Sequence, residues 1–267
     1  MTYTCYKTKT PIAIDGKIDK KVWDKAPWSP RFVDLISGQP AFFDTRVKCL
    51  WDERNLYVAF WAQEPFVAGQ LTERDSIIFG ENDLEVFIDG GDTYYEFEIN
   101  ALNTVYEVFY IYRDAYKKGG RFDVPEFDLI ENRARSFGGN YDRSIDHFWR
   151  GKHRRGDKWA FINWDFPGLQ TAVRVDGVIN DPTHIDNGWS CELAFPWAGM
   201  KWLDDGKTLP PIDGQTMRLL FARFEQLPVG GKHVSCGWGL DPVGDNDNHA
   251  PERFSTVLFS ERYAEEL

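Results

Sequence analysis

Three glutamates near the middle of the chain have the residue type and spacing best suited to chemistry. Glu85 lies in the segment DLEVFIDGGDTYYEFEIN at residues 83–100, and Glu96 and Glu98 follow after its Gly-Gly-Asp turn. Alternation with a period of two predicts a β-hairpin with these carboxylates on one face and apolar side chains on the other. Acids on paired strands repel one another, so Arg or Lys, calcium or sugar hydroxyls would have to compensate them. The alternative is a solvated sheet face with cross-strand ion pairs.

The same carboxylates suit a second hypothesis, in which the protein is an enzyme acting on a carbohydrate. Glycoside hydrolysis uses two carboxyl groups about 5–9 Å apart. In this hypothesis Glu85, Glu98 and His249 are the acid and base groups. The sequence points to no other reaction, because zinc spacing of histidines, phosphate-binding glycine motifs and a GxSxG motif are all absent.

Calcium is the metal favoured by the oxygen-rich loops of the sequence. Such loops occur at residues 15–19, 89–92 and 241–247, and none of them matches the EF-hand pattern. The alternative is that they are ordinary turns with solvated carboxylates.

Aromatic side chains near the acidic row indicate a sugar as the ligand. A flat ring stacks on the C–H face of a pyranose, while carboxylates and amides bind its hydroxyls. Phe79 lies just before the first strand of the hairpin, and Trp238 lies at the end of another predicted strand. The predicted carbohydrate site contains Phe79, Glu85, Glu98, Asn100, Trp238 and His249.

Short strands are the elements that must position these side chains. The sequence alternates with a period of two, or is continuously apolar, at residues 46–51, 56–64, 169–175, 189–195, 217–225, 233–238 and 254–259. Turn residues separate these segments, which predicts an all-β sandwich or barrel. The one helix expected near the start of the chain is short, begins at an Asp19 cap and packs Trp23 on the core.

Residues 112–165 are polar, weakly periodic and rich in Arg, Asp and Gly, which predicts a long irregular insertion. Its side chains Tyr112, Trp149, Arg150 and Trp159 are candidates for additional stacking at the site. The chain has 267 residues, and all-β sandwiches reach roughly 200–250 residues as one unit. We therefore expect a single domain over residues 1–267.

The net charge of −11 argues against nucleic acid and anionic membranes as partners. No apolar run approaches the roughly 18 residues of a membrane span. The four cysteines form no CxxC pair, so buried free thiols are expected. We expect a cytoplasmic protein if the chain is complete, and a secreted or periplasmic one if a signal peptide has been removed.

Six segments in order resemble the family 9 carbohydrate-binding modules. They are IDGKID at 14–19 followed by Trp23, LWDERNLYV at 50–58, NDLEVFID at 82–89, YEFEIN at 95–100, GWSCELAFPW at 188–197 and PERF at 251–254. The resemblance spans about residues 10–260. It implies an antiparallel β-sandwich of jelly-roll type, often with structural calcium.

The resemblance also implies where a sugar would bind. In sugar-binding members two tryptophans clamp a terminal glucose unit, and charged and amide side chains bind its hydroxyls. Glu85 and Asn100 match a ligand-binding Glu and Asn of the family. Phe79 stands in place of the first tryptophan and Glu98 in place of a binding Arg. No aromatic residue except His249 is found where the second tryptophan is expected.

The resulting prediction is non-catalytic binding of a mono- or oligosaccharide, with the enzyme as the alternative. A third hypothesis is a structural or interaction domain whose sheet face meets another protein. The sequence leaves the identity of the sugar and the oligomeric state open.

Overall fold

Strands make up most of the regular structure in the computed structural model, which describes residues 1–138, 155–244 and 248–267. The strands in this part of the chain are β1 Thr2–Lys7, β2 Val33–Asp34, β3 Thr45–Trp51, β4 Asn55–Gln63, β5 Asp83–Asp89, β6 Thr93–Asn100, β7 Val105–Tyr112, β8 Arg135–Phe137, β9 Lys158–Phe161, β10 Gln170–Asp176, β11 Gly188–Pro196, β12 Thr216–Val229, β13 Lys232–Gly239 and β14 Ser255–Tyr263. One short α-helix, α1 Lys21–Asp24, precedes β2. Single 3₁₀ turns lie at Ile78–Gly80, Pro125–Phe127, Trp197–Met200, Pro251–Arg253 and Ala264–Glu266.

The strands follow one hydrogen-bonded path that folds into two layers. The order is β10-β11-β4-β3-β1-β14-β12-β5-β6-β7-β9-β8, and β13 pairs with β12 and β2. Aromatic rings from distant parts of this path pack together between the two layers. The ring centroid of Phe60 in β4 lies 6.1 Å from that of Phe221 in β12, and the ring centroid of Phe97 in β6 lies 5.6 Å from that of Phe195 in β11. The predicted all-β sandwich is therefore confirmed. Its pairings are antiparallel except where β1 meets β3 and β14.

The β5–β6 hairpin forms as predicted, with Glu85 directly opposite Glu98. Leu84, Val86 and Ile88 lie in the core between the layers. The opposite face of this layer is also covered, by a second apolar cluster that includes Phe87. The alternative of a solvated acidic face is therefore wrong, because both faces of the hairpin are buried.

The first helix differs from the prediction at its start. Its N-cap is Lys20, and no side chain caps it, so Asp19 does not have the expected role. The preceding loop is held instead by Glu192, which accepts hydrogen bonds from the backbone of Gly16, the amine of Lys20 and the indole of Trp23. Trp23 is fully buried, as expected.

The segment at residues 112–165 contains regular structure in its described part. β9 pairs with β7, and β8 pairs with β9. These two strands extend the layer that contains β5, β6 and β7. They cover the edge of β7, which would otherwise be unpaired. Trp149 and Arg150 lie outside the described residues.

All four cysteines are free thiols, and Cys236 is half-buried whereas the other three are buried. Within the described ranges, no helix is long and apolar enough to cross a membrane.

Candidate functional site

A cavity of about 240 Å³ lies on the outer face of the β5–β6 hairpin. The two hairpin strands provide its acidic floor, β7 provides two tyrosines, and the segment before the Pro251–Arg253 turn lies against the glutamates. The lining residues are Phe79, Glu85, Phe87, Glu96, Glu98, Tyr106, Tyr110, Phe137, Phe224, Ser235, Asn248 and His249. Four of the six predicted site residues therefore meet here, namely Phe79, Glu85, Glu98 and His249.

The three glutamates of the floor are buried and have different partners. Glu85 is 2% exposed, and its Oε2 accepts a hydrogen bond from the Asn248 amide at 3.2 Å. The Oε2 of Glu96 accepts from the Tyr110 hydroxyl at 2.6 Å. Glu98 is 1% exposed, and its Oε2 has no hydrogen-bond partner among the described residues. Burial, followed by repulsion from neighbouring acids, raises the pKa of Glu85 and Glu98 well above the ordinary range.

Asp83 is a fourth buried acid on the same face, which we did not single out from the sequence. Its Oδ1 accepts from the backbone N–H of Phe224 at 3.1 Å, and its Oδ2 has no partner among the described residues. One carboxylate oxygen from each of Asp83, Glu85 and Glu98 lies within 4.8 Å of the other two. The sequence could have predicted this position. Asp83 stands two residues before Glu85, and side chains two residues apart on a strand lie on the same face.

His249 is buried against the acidic floor. Its Nδ1 lies 2.9 Å from the Tyr94 hydroxyl, and its Nε2 lies 3.7 Å from Oε1 of Glu96. Burial, followed by the nearby charge of Lys158, lowers the pKa of His249 well below its ordinary value. The imidazole is therefore neutral at pH 7.

Phenylalanines form part of the cavity wall, and two of them, Phe79 and Phe137, are partly exposed. Phe79 is 41% exposed, and its ring centroid lies 5.6 Å from that of Tyr106 in an edge-on arrangement. Phe137 of β8 lies 4.5 Å from the His249 ring. The insertion therefore contributes a ring to the cavity, but through Phe137 rather than through Tyr112 or Trp159, which are not among its lining residues.

Asn100 and Trp238 do not line the cavity, in contrast to the expectation. The Asn100 amide donates to the Leu71 carbonyl, and its Oδ1 accepts from the backbone N–H groups of Leu102 and Thr104. Asn100 therefore holds the turn between β6 and β7 and has its polar atoms occupied. Trp238 belongs to the core between the layers, where its ring lies 5.3 Å from the Arg223 guanidinium.

The loops that suggested calcium are neutralised by the protein's own side chains in their described parts. Asp15 pairs with Lys20 at 2.6 Å, and this hydrogen bond lowers the pKa of Asp15 to about 2. Asp89 pairs with Arg218 at 2.5 Å. Asp241 accepts from the Ser255 hydroxyl at 2.7 Å, and residues 245–247 lie outside the described part of the chain. The described carboxylates of these loops therefore already have partners within the protein, and calcium binding by the loops stays a prediction.

The fold and the site together define a class of protein: a β-sandwich domain with an acidic, aromatic-walled cavity on the outer face of one layer. The family model described as "Carbohydrate family 9 binding domain-like" matches residues 14–126. This match confirms the family 9-like resemblance predicted from the motifs. The matched segment includes Phe79, Glu85 and Glu98.

Solved structures share the fold over nearly the whole chain. One is a family 9 carbohydrate-binding module from Caldicellulosiruptor kristjanssonii in complex with cellotriose, with 15% identity, a TM-score of 0.53 and coverage of 100% of this chain and 97% of that chain. A family 9 module from the same organism in complex with glucose has 15% identity, a TM-score of 0.52 and coverage of 97% and 96%.

A putative carbohydrate-binding protein from Bacteroides uniformis has 13% identity, a TM-score of 0.57 and coverage of 97% and 98%. At these identities the likeness concerns the fold alone. No curated protein matches the sequence.

Proposed function

We propose that the protein binds a mono- or oligosaccharide, without catalysis, in the cavity on the β5–β6 hairpin. The observation that carries this proposal is the meeting of the buried Glu85–Glu98 pair with the half-exposed ring of Phe79 in one cavity. The ring offers a surface for the C–H face of a pyranose, and the carboxyl groups offer partners for its hydroxyls.

The polarity of the cavity favours a neutral ligand rich in hydroxyl groups. No Lys or Arg is among its described lining residues, which argues against a phosphate or carboxylate ligand. Buried carboxyl oxygens that lack donors, such as Oε2 of Glu98, gain hydrogen bonds when a hydroxyl approaches.

The size of the cavity suits one sugar ring. Pockets for drug-sized ligands usually measure about 300–1,000 Å³, and this cavity measures about 240 Å³. A longer oligosaccharide would place its terminal unit in the cavity and the rest outside. The complexes of the similar Caldicellulosiruptor structures make glucose and cellotriose the first ligands to test.

Calorimetric titration of wild-type protein with glucose, cellobiose, cellotriose and a wider sugar panel tests the proposal. We expect Phe79→Ala to weaken the binding about three- to tenfold, because an aromatic stacking contact contributes about 0.5–1.5 kcal/mol. Phe42→Ala is the matched control, since Phe42 is 72% exposed and does not line the cavity. Failure of the wild type to bind any sugar would refute the proposal, and so would equal binding by both variants.

The arrangement of Glu85, Glu98 and His249 also supports the second candidate, an enzyme acting on carbohydrates. Glu85 and Glu98 are direct cross-strand neighbours, and His249 lines the same cavity. Product analysis after incubation with the sugar panel tests this candidate. Turnover that is abolished in Glu85→Gln and His249→Ala would support it, whereas turnover that persists in both variants, or no turnover at all, would exclude it.

A further inference from the structure

We propose that Asp83, Glu85 and Glu98 form a buried divalent-cation site of the calcium class, in which Glu85 and Glu98 also line the cavity. One oxygen of each carboxylate lies within 4.8 Å of the other two. Two calcium–oxygen bonds of about 2.3–2.6 Å span roughly that distance, so one ion can contact all three groups. Glu85 and Glu98 also line the proposed sugar site, and calcium binding is measured without sugar so that the two proposals can fail separately.

Buried acceptors without partners occur on two of the three carboxylates and on a neighbouring residue from a separate segment. Oδ2 of Asp83 and Oε2 of Glu98 are buried and have no hydrogen-bond partner among the described residues. Asn248 is 4% exposed, and its amide nitrogen is anchored on Glu85 while its Oδ1 is also without a partner there. Buried acceptors without donors require a proton on one of the carboxyl groups, a cation or an added donor.

Asn248 provides a second observation, which does not come from the three acidic residues themselves. It comes from the segment before the Pro251–Arg253 turn, 163 residues away from Glu85, and it lines the same cavity. An amide oxygen is a neutral hard ligand of the kind that commonly completes a calcium site beside carboxylates.

Among the described residues, no Lys or Arg forms an ion pair with the three carboxylates in the way that Lys20 does with Asp15. The guanidinium of Arg223 attracts Asp83, but it donates its hydrogen bonds to Glu225 at 2.5 Å, Glu64 at 3.3 Å, the Thr45 hydroxyl and the Gln63 carbonyl. Charges buried without a partner are costly. A bound cation removes this cost for the group as a whole.

The donor set identifies the class of ion. The three candidate donors are carboxylate oxygen atoms, and no cysteine or histidine belongs to the group. Zinc and copper prefer nitrogen and sulfur ligands. Calcium accepts six to eight oxygens in a flexible geometry, whereas magnesium demands a near-ideal octahedron. Three carboxylates therefore favour calcium, with solvent or a neighbouring amide oxygen in the remaining positions.

The test is calcium titration of the chelator-stripped full chain by calorimetry, with no sugar present. We expect one ion per chain and preference over magnesium. At a calcium concentration one hundred times Kd, the Tm should rise by roughly 5–10 °C. Glu98→Gln and Asp83→Asn should each weaken binding at least about tenfold, as is typical when support of a metal site is lost.

Asp15→Asn is the matched control, because it alters a competing oxygen-rich loop and should leave calcium binding unchanged. Gln is close in size to Glu and cannot carry a buried negative charge, so the calcium-free Tm of Glu98→Gln should equal or exceed that of the wild type. Loss of calcium binding in that folded variant would assign the site. Absence of binding by the wild type, undiminished binding by both cluster variants, or loss of binding in Asp15→Asn would each overturn the proposal.

Discussion

Glu98 illustrates how burial changes the behaviour of an acidic residue. In the sequence it is one of several glutamates on a strand, but in the structure it is 1% exposed with an unpartnered Oε2 among the described residues. Burial, followed by repulsion from Asp83, raises its pKa well above the ordinary range. A cation or a hydroxyl donor that approaches such a buried group stabilises it. For this reason Glu98 belongs to both the proposed sugar site and the proposed cation site.

Glu225, which lies outside the cavity, allows the effect of burial on the pKa of one carboxyl group to be tested. Burial outweighs the attraction of Arg223 and raises the pKa of Glu225 to about 7. The folded state therefore binds a proton more tightly than the unfolded state, whose carboxyl group has a pKa near 4.5. Its contribution to the free energy of unfolding is fully present below pH 4.5 and is lost as the pH rises to about 7.

Chemical denaturation of the wild type and of Glu225→Gln between pH 4.5 and 8 measures this contribution. We expect the stability of the wild type, relative to the variant, to decline across that range and then to level off. A constant difference between the two proteins over the whole range would contradict the assigned pKa shift.

At the scale of elements, the loop before α1 depends on one buried carboxylate of β11. Glu192 accepts from the backbone of Asp15 and Gly16, from Lys20 and from the Trp23 indole. Gly16 has φ +80°, and a Cβ there would lie 2.7 Å from the Val173 carbonyl carbon, so this turn requires glycine. The loop therefore sits on the sheet through its backbone as well as through Trp23.

Glu192→Ala should lower the free energy of unfolding by about 2–4 kcal/mol, because it leaves several buried donors without an acceptor. Urea denaturation measures the change. The control is Glu53→Ala, since the Glu53 side chain is 69% exposed and its ion pair with Lys7 is at the surface. That variant should change stability by less than about 1 kcal/mol. Equal losses in the two variants would show that Glu192 does not hold the loop.

At the scale of the whole molecule, aromatic contacts between the layers hold the sandwich closed. Phe97 of β6 packs edge-on against Phe195 of β11, and Phe60 of β4 does the same with Phe221 of β12. These contacts join strands from the two halves of the sheet path. The acidic cavity lies on the far side of β6, so the strand that carries Glu96 and Glu98 also packs against this core.

Phe97→Ala should destabilise the protein by about 3–5 kcal/mol, the usual cost of removing a buried phenylalanine ring. The matched control is Phe42→Ala, because Phe42 is 72% exposed, and its cost should be below about 1 kcal/mol. Thermal or urea unfolding compares the two. A loss for Phe97→Ala no larger than that for the control would argue against tight packing between the layers.

Local patterns were sufficient to predict the sandwich and the acidic hairpin. The period of two at residues 83–100 determined which side chains share a face, because neighbouring side chains on a strand point in opposite directions. The same rule could have identified Asp83. Alternation also predicted the strands on either side of residues 52–54 and those near the end of the chain.

The sequence by itself therefore determined the class of fold and the face that carries the carboxylates. Only the tertiary structure decided that this face is closed into a cavity, because Phe137, Asn248 and His249 come from distant parts of the chain. It also assigned Asn100 to a turn and Trp238 to the core. Alternation specifies the direction in which a side chain points. The surroundings of that side chain depend on contacts with residues far away in the sequence, and a local pattern contains no information about them.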